Sequence, residues 1–541
     1  MPDPCHRVDA AHAIKRADQR LDVRLRAALP RLEALEPRRL RPAGLLRHDL
    51  GGLPRADIAA RFKEVDIVQG PSEPLGEHAE LLAPLRRERT AGIIGPRRGI
   101  AVEGPGMTDE NEVQQLPPPE SGRAVTNARG CATLPHDMPR VIHHDARILT
   151  LAGPASGSGP RRGAAMRDLG VIPRGYIVVE DGVIADVGAG EPADLAGERR
   201  DARGRVLMPA FVDCHTHACY AGDRYAETAK RLAGVPYLEI LAAGGGIMST
   251  VRDTRAADPA ELARGLGARL DAMRRTGTLA VEVKSGYGLD LDTELRMLDA
   301  IAAAARTRSE TIVPTFLGAH AIDGDEAAYC ARVVDEVLPA VVARFGRIAC
   351  DAYCEKGAWS PAWTTRLFER ARQLGCPLRV HVDQFNELGF LETALGLGAR
   401  SVDHLEATSR AALEMVGRSG TTGVLLPGCG LTLDGRFANG RAIIDAGGSV
   451  AIATNCNPGS SPVTSMPLVI ALAARHCGLS HEEAIVAATY NAACVLGIER
   501  ECGSLEKGKR ARFIELPTAD ERALAYEWGT AAPLAVHCEP R

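Results

Sequence analysis

From residue 206 onward, short apolar runs that end in polar residues alternate with longer segments of helical periodicity, and this alternation constrains the fold more than any other feature of the chain. The runs fall at 206–213, 279–284, 312–317, 348–354, 378–382, 401–404, 422–427 and 450–455. A strand covered on both faces reads as a near-continuous apolar run, and a crossover helix returns the chain to start the next strand in parallel. Helix ends between the runs are marked chemically: Ser480 with Glu483 fits a capping box, and Gly497 fits a C-terminal cap. Eight such units match a (β/α)8 TIM-like barrel, typically about 250 residues long, and the barrel is expected over 206–500. Its chemistry gathers at the carboxyl ends of the strands, so the polar residues that close each run are the candidates.

The flanking segments follow a different pattern. Val141 and Ile142 open a strand, and residues 176–179 and 183–187 flank Asp181-Gly182 as a β-hairpin does. Segments 138–205 and 501–541 are expected to form a small β-sandwich domain beside the barrel, giving an α/β fold class overall. Residues 1–137 alternate Arg-rich blocks with Pro and Gly clusters. Apart from a helix at 10–29, stopped by Pro30, they read as a poorly ordered, low-complexity extension, or as sequence ahead of a true start at Met138.

A length of 541 residues allows two to four domains at about 150 residues each. The 65 Lys and Arg against 69 Asp and Glu leave a net charge of −4, which supplies no electrostatic footprint for nucleic acid or an anionic membrane. A small-molecule substrate is the expected partner. Residues 1–12 hold no apolar run, so neither a signal peptide nor a membrane span is expected and the localisation reads as cytoplasmic. Fourteen cysteines without a Cys-x-x-Cys pair read as reduced, packed thiols.

The first run ends in Asp213-Cys214-His215-Thr216-His217. In an extended segment, residues two apart face the same side, so His215 and His217 can present both imidazoles to one ion. Taken alone, the pair is also compatible with two core or surface histidines. His381 closes the fifth run and His404 the sixth, so a barrel would bring four histidines to one rim. Three imidazoles with one open position are the ligand set of a catalytic metal. The eighth run continues into Asn455-Cys456-Asn457-Pro458-Gly459-Ser460-Ser461, a turn whose backbone can approach a ligand.

Several segments together resemble the imidazolonepropionase family of the amidohydrolase superfamily. They are the His215 segment, Lys284-Ser285-Gly286-Tyr287-Gly288, Phe316-Leu317-Gly318-Ala319-His320-Ala321, Asp403-His404-Leu405-Glu406, and the Asn455 turn. Gly244-Gly245-Gly246-Ile247 with Ser249-Thr250 adds to the likeness, which runs from about residue 138 to the end. The resemblance implies hydrolysis of the cyclic amide of 4-imidazolone-5-propanoate, with one Zn²⁺ or Fe³⁺ per subunit held by His215, His217 and His381. Asn455, where the family usually has an aspartate ligand and proton acceptor, is expected to complete the metal set through its amide oxygen and to belong with His404 and His320 to the catalytic residues. The likeness further implies that Arg224 meets the substrate's propionate, that Tyr287, His320 and Gln384 line the ring, and that Asn457, Gly459 and Ser460 contact substrate and product. His404 would stabilise the oxyanion or pass a proton. A homodimer is an assembly frequent in the family.

Other readings remain. A deaminase of the superfamily would want a glutamate near His381, where this chain has Gln384. A two-metal dihydroorotase or hydantoinase would want a lysine at the fourth strand, and 350–354 has none. Asn455 itself opens the reading of a catalytically impaired binding homologue. Arg512, where relatives carry an aspartate before the Phe, lies in the expected terminal β domain and bears on packing more than on chemistry.

Overall fold

The computed structural model describes residues 140–541 except 153–158, 236–238, 241–242, 529–531 and 539–541. The expectations for residues 1–137, including the helix at 10–29 and the extension's order, lie outside the described residues.

Eight parallel strands form the central sheet in sequence order: β6 (Phe211–Asp213), β7 (Thr278–Lys284), β8 (Thr311–Ala319), β9 (Ala349–Cys354), β10 (Leu378–Val382), β11 (Ser401–His404), β12 (Thr422–Leu425) and β13 (Ser449–Ile452). Helices link them, among them Pro259–Arg275 and Leu291–Thr307, each capped by an aspartate, Asp258 or Asp290, that accepts a backbone N–H. The capping box at Ser480 and the left-handed Gly497 both form. The ring closes beyond the last paired strands, where Asn455 N donates to His215 O at 3.1 Å and His217 N donates to Asn455 O at 2.8 Å. Below that bridge, Asp213 accepts from Thr454 N at 3.1 Å and Thr454 Oγ1 at 2.5 Å. The hydrogen bonds that shut the barrel are thus made by the residues that carry the first two histidines.

The flanking segments form one mixed sheet of seven strands, ordered β15-β14-β5-β1-β2-β3 with β4 beside β1. Here β1 is Val141–Leu149, β2 Val171–Glu180, β3 Val183–Ala189, β4 Glu198–Asp201, β5 Val206–Pro209, β14 Arg512–Glu515 and β15 Ala535–Cys538. Asp181 and Gly182 turn the hairpin with φ of 48° and 73°, as a turn with two positive φ angles requires. The run at 206–213, expected as one barrel strand, is two strands. Its first half pairs with β1 and β14, and its second half with β7. Every residue of both halves is buried, so apolarity alone could not reveal the change of sheet. Arg512 is buried, with its guanidinium hydrogen-bonded. It donates to Leu279 O and Ser309 O and to the Thr311 hydroxyl, tying β14 to the starts of β7 and β8. Among the described residues no helix is long and apolar enough to cross a membrane.

Candidate active site

The carboxyl ends of the barrel strands bring His215, His217 and His381 together, with ligand-capable atoms all within 4.8 Å of one another. His217 Nε2 lies 3.0 Å from His381 Nε2, and the His215 and His381 ring centroids are 4.4 Å apart. The other side of two rings is fixed by carboxylates: His215 Nδ1 is 2.6 Å from Asp403 and His381 Nδ1 is 3.1 Å from Asp351. A carboxylate on Nδ1 selects the tautomer whose Nε2 lone pair faces the centre. His215 Nε2 is fully buried and has no hydrogen-bond partner. An orphaned imidazole nitrogen deep in a protein is costly unless something coordinates it.

Burial also holds these rings neutral. His215 and His217 are lowered well below the usual histidine range by desolvation, aided at His215 by Lys284 and at His217 by His320. Desolvation brings His381 to about 4 although Asp351 opposes it, and His320 to about 4 although its bond to Gly286 opposes it. Neutral imidazole is the metal-binding form, so the donor set fits a metal ion. His404 is the exception. Burial would lower it, but Glu406 and a hydrogen bond with Cys429 outweigh burial and raise it to about 10. Four neutral rings and one cationic ring therefore share the rim.

Below the rim lies a buried ionic lattice. Lys284 Nζ bridges Glu282 at 2.6 Å and Asp351 at 2.7 Å, and Arg379 reaches Glu282 at 3.1 Å and Asp403 at 2.8 Å. It therefore ends on both carboxylates that orient the histidines. Left-handed, non-glycine residues end or follow three of the strands: Asp383 (φ 54°), His404 and Leu405 (85° and 71°), and Asn455 and Cys456 (65° and 37°). Such conformations are held against a cost of about 1–3 kcal/mol each and cluster at functional sites.

Above the triad opens a cavity of about 480 Å³. Its walls include ten of the expected residues: His217, Arg224, Tyr287, His320, His381, Gln384, His404, Asn457, Gly459 and Ser460. The other two, His215 and Asn455, are buried out of the cavity wall at 0 and 1 % exposure. His320 stacks on His217 at 4.8 Å and its Nδ1 donates to Gly286 O at 2.9 Å, leaving Nε2 free of that bond. Gly286 can hold this carbonyl because its φ is +105° and an added Cβ would sit 2.7 Å from Leu317 O. Gly459 is similarly close to Arg224, whose NH1 would be 3.1 Å from a Cβ there.

Asn455 is buried with its two amide atoms in different surroundings. Its Nδ2 donates to Cys429 Sγ at 2.9 Å and Ser460 Oγ at 3.1 Å, while Oδ1 is buried without a partner. The sequence reading missed Glu227, which pairs with the Arg224 guanidinium and accepts Gly246 N at 3.0 Å. Its signal was available three positions after Arg224, on the helix Tyr225–Leu232. Tyr353 and Lys356 also line the cavity without having been anticipated.

A closed parallel barrel with imidazoles at its carboxyl rim defines a hydrolase class, and comparison agrees. Residues 206–528 match the model of the Amidohydrolase family, to which the chain belongs. The chain is 44 % identical over 419 residues to the imidazolonepropionase of Herpetosiphon aurantiacus, spanning 74 % of this chain and 96 % of that protein. It is 45 % identical over 395 residues to the imidazolonepropionase of Symbiobacterium thermophilum, spanning 71 % and 92 %. Within the amidohydrolases it is therefore a member of the imidazolonepropionase family. Solved structures share the fold at low identity. A 5-methylcytosine deaminase from Klebsiella pneumoniae aligns with a TM-score of 0.57 at 16 % identity, over 74 % of this chain and 98 % of that one. An adenosine deaminase from Xanthomonas campestris aligns at 0.51 and 18 % identity, over 74 % and 91 %.

Proposed function

We propose that this protein hydrolyses 4-imidazolone-5-propanoate to N-formimidoyl-L-glutamate in L-histidine degradation. The observation that carries the reading is the neutral imidazole triad, two of its rings oriented by carboxylates, beneath a cavity that also holds a buried arginine. His215, His217 and His381 would hold one Zn²⁺ or Fe³⁺. When bound, such an ion makes water nucleophilic at neutral pH and polarises a carbonyl.

The chain's own groups have distinct tasks. Arg224 receives the propionate carboxylate, with Glu227 keeping the guanidinium in place and Gly459 letting a ligand approach it. Tyr287 and His320 pack the ring, and the free Nε2 of His320 can hydrogen-bond it. Water adds to the ring carbonyl carbon, the bond from that carbon to the ring nitrogen breaks, and the nitrogen leaves with a proton. Cationic His404 offsets the negative charge that develops on the carbonyl oxygen and can donate its own proton to the leaving nitrogen, recovering one from the water that has added. The test is to follow loss of imidazolone absorbance with purified protein and identify the product by mass. An unchanged spectrum with metal-loaded protein would refute the reading.

Two predictions follow from the site residues. Arg224→Lys keeps a cation for Glu227 but loses the planar fork that matches a carboxylate. A charge-assisted hydrogen bond is worth about 1.5–3 kcal/mol, so KM should rise roughly 10- to 100-fold with kcat much less affected. Steady-state kinetics decide it, and a selective fall in kcat would move Arg224 away from the propionate. Asn455 cannot accept a proton as a carboxylate does. Since a general base contributes about 10²–10⁴ in rate, Asn455→Asp should raise kcat at least ~10²-fold. If kcat stays level, the proton leaves through another group.

A further inference from the structure

A second group of metal-capable side chains stands at the same rim. His404 ends β11, Glu406 lies two residues beyond it, and Cys429 lies in the short helix Pro427–Thr432 that follows β12. One ligand atom from each lies within 4.8 Å of the others. Two further observations set the group apart from an ordinary hydrogen-bonded cluster. Both Glu406 carboxylate oxygens are 3.2 Å from His404 Nδ1, yet Oε2 is buried and makes no acceptable hydrogen bond, and the side chain is 6 % exposed. The Cys429 sulfur, 1 % exposed, is held by the amide of the residue that replaces an acid, Asn455 Nδ2, at 2.9 Å.

We propose that His404, Glu406 and Cys429 form a second cation site, distinct from the His215, His217 and His381 site, for a borderline-soft divalent transition ion such as Zn²⁺ or Co²⁺. Nitrogen, carboxylate oxygen and sulfur are the donors zinc takes in proteins, and a sulfur ligand selects against Mg²⁺ and Ca²⁺. Three protein ligands leave a fourth position open, as in sites that bind water or substrate. The ion displaces two protons to solvent, one from the Cys429 thiol, which binds as thiolate, and one from His404, so the occupied site and the cationic His404 that faces substrate are alternative states of the same residue. Asparagine at 455 suits this arrangement better than aspartate would. An amide N–H supports an electron-rich sulfur 2.9 Å away, whereas a carboxylate oxygen in that place would repel it. The site therefore offers a reason why this chain carries Asn455 beside Cys429. The inference does not rest on the substrate assigned above, because it concerns occupancy alone.

The test uses the full chain, stripped by chelator and reloaded with Co²⁺. Elemental analysis and equilibrium dialysis count the ions, and near-ultraviolet absorption reports thiolate-to-Co²⁺ charge transfer. Wild type should take up a second equivalent whose binding tracks the charge-transfer band. Cys429→Ser should lose that equivalent and the band but retain the first. Glu406→Gln, which keeps the thiol, should weaken the second equivalent at least ~10-fold, and it stands in should the serine variant not fold. His381→Ala should retain the band. A single equivalent without a band in wild type would overturn the proposal, as would a band that survives in Cys429→Ser.

Discussion

Replacing His381 with alanine should leave the purified protein unable to retain the ion held by His215, His217 and His381, and reduce ring opening by at least about 10³-fold. Removing one of three ligands costs more affinity than removing an orienting partner, which already costs 10- to 100-fold. The lost ion takes with it several kcal/mol of transition-state stabilisation, and each 1.36 kcal/mol is tenfold in rate. The fold should survive. His381 makes its polar contacts with Asp351 and His217 rather than with the strand ladder, and deletion of a ring whose Nε2 faces other imidazoles relieves crowding of buried nitrogens. Metal content measured beside the circular dichroism spectrum separates the outcomes. Full metal content in a folded His381→Ala protein would remove His381 from the ligand set. Loss of folding together with loss of metal would make its role structural.

The barrel and the triad were legible because each leaves a local trace. Parallel strands buried on both faces produce apolar runs, and strand-end histidines interrupt them. The supporting machinery left a weaker trace. Glu282 and Lys284 alternate with Ala280, Val281 and Val283 along β7, and all are buried. Charges inside an apolar run can mean either a solvated edge or an interior lattice, and only the partners on β9, β10 and β11 distinguish the two. The pairing of Asn455 with Cys429 joins the turn after β13 to the short helix after β12, which no periodicity links. Likewise the division of 206–213 between two sheets is written in hydrogen-bond partners rather than in residue type. Long-range polar contacts are what a single sequence conceals.

The interior lattice carries the second large effect. Lys284 is fully buried and holds Glu282 and Asp351 at 2.6 and 2.7 Å, so Lys284→Met would leave two buried carboxylates sharing less positive charge. Removing one partner of a buried ion pair costs about 3–5 kcal/mol, because the remaining charge loses its compensation while staying out of water. The urea midpoint of Lys284→Met should fall accordingly. Glu282 also accepts Thr216 N at 2.9 Å, between the two rim histidines, and Asp351 orients His381. Metal affinity should therefore fall by roughly 10- to 100-fold as well, an effect that a merely packing role for Lys284 would not produce. A second substitution discriminates further. Glu282→Gln added to Lys284→Met removes one of the uncompensated charges and should recover part of the lost stability, giving a coupling of about 0.5–3 kcal/mol in a double-mutant cycle. Additive losses, or a single variant within about 1 kcal/mol of wild type, would show that the two carboxylates do not depend on the lysine.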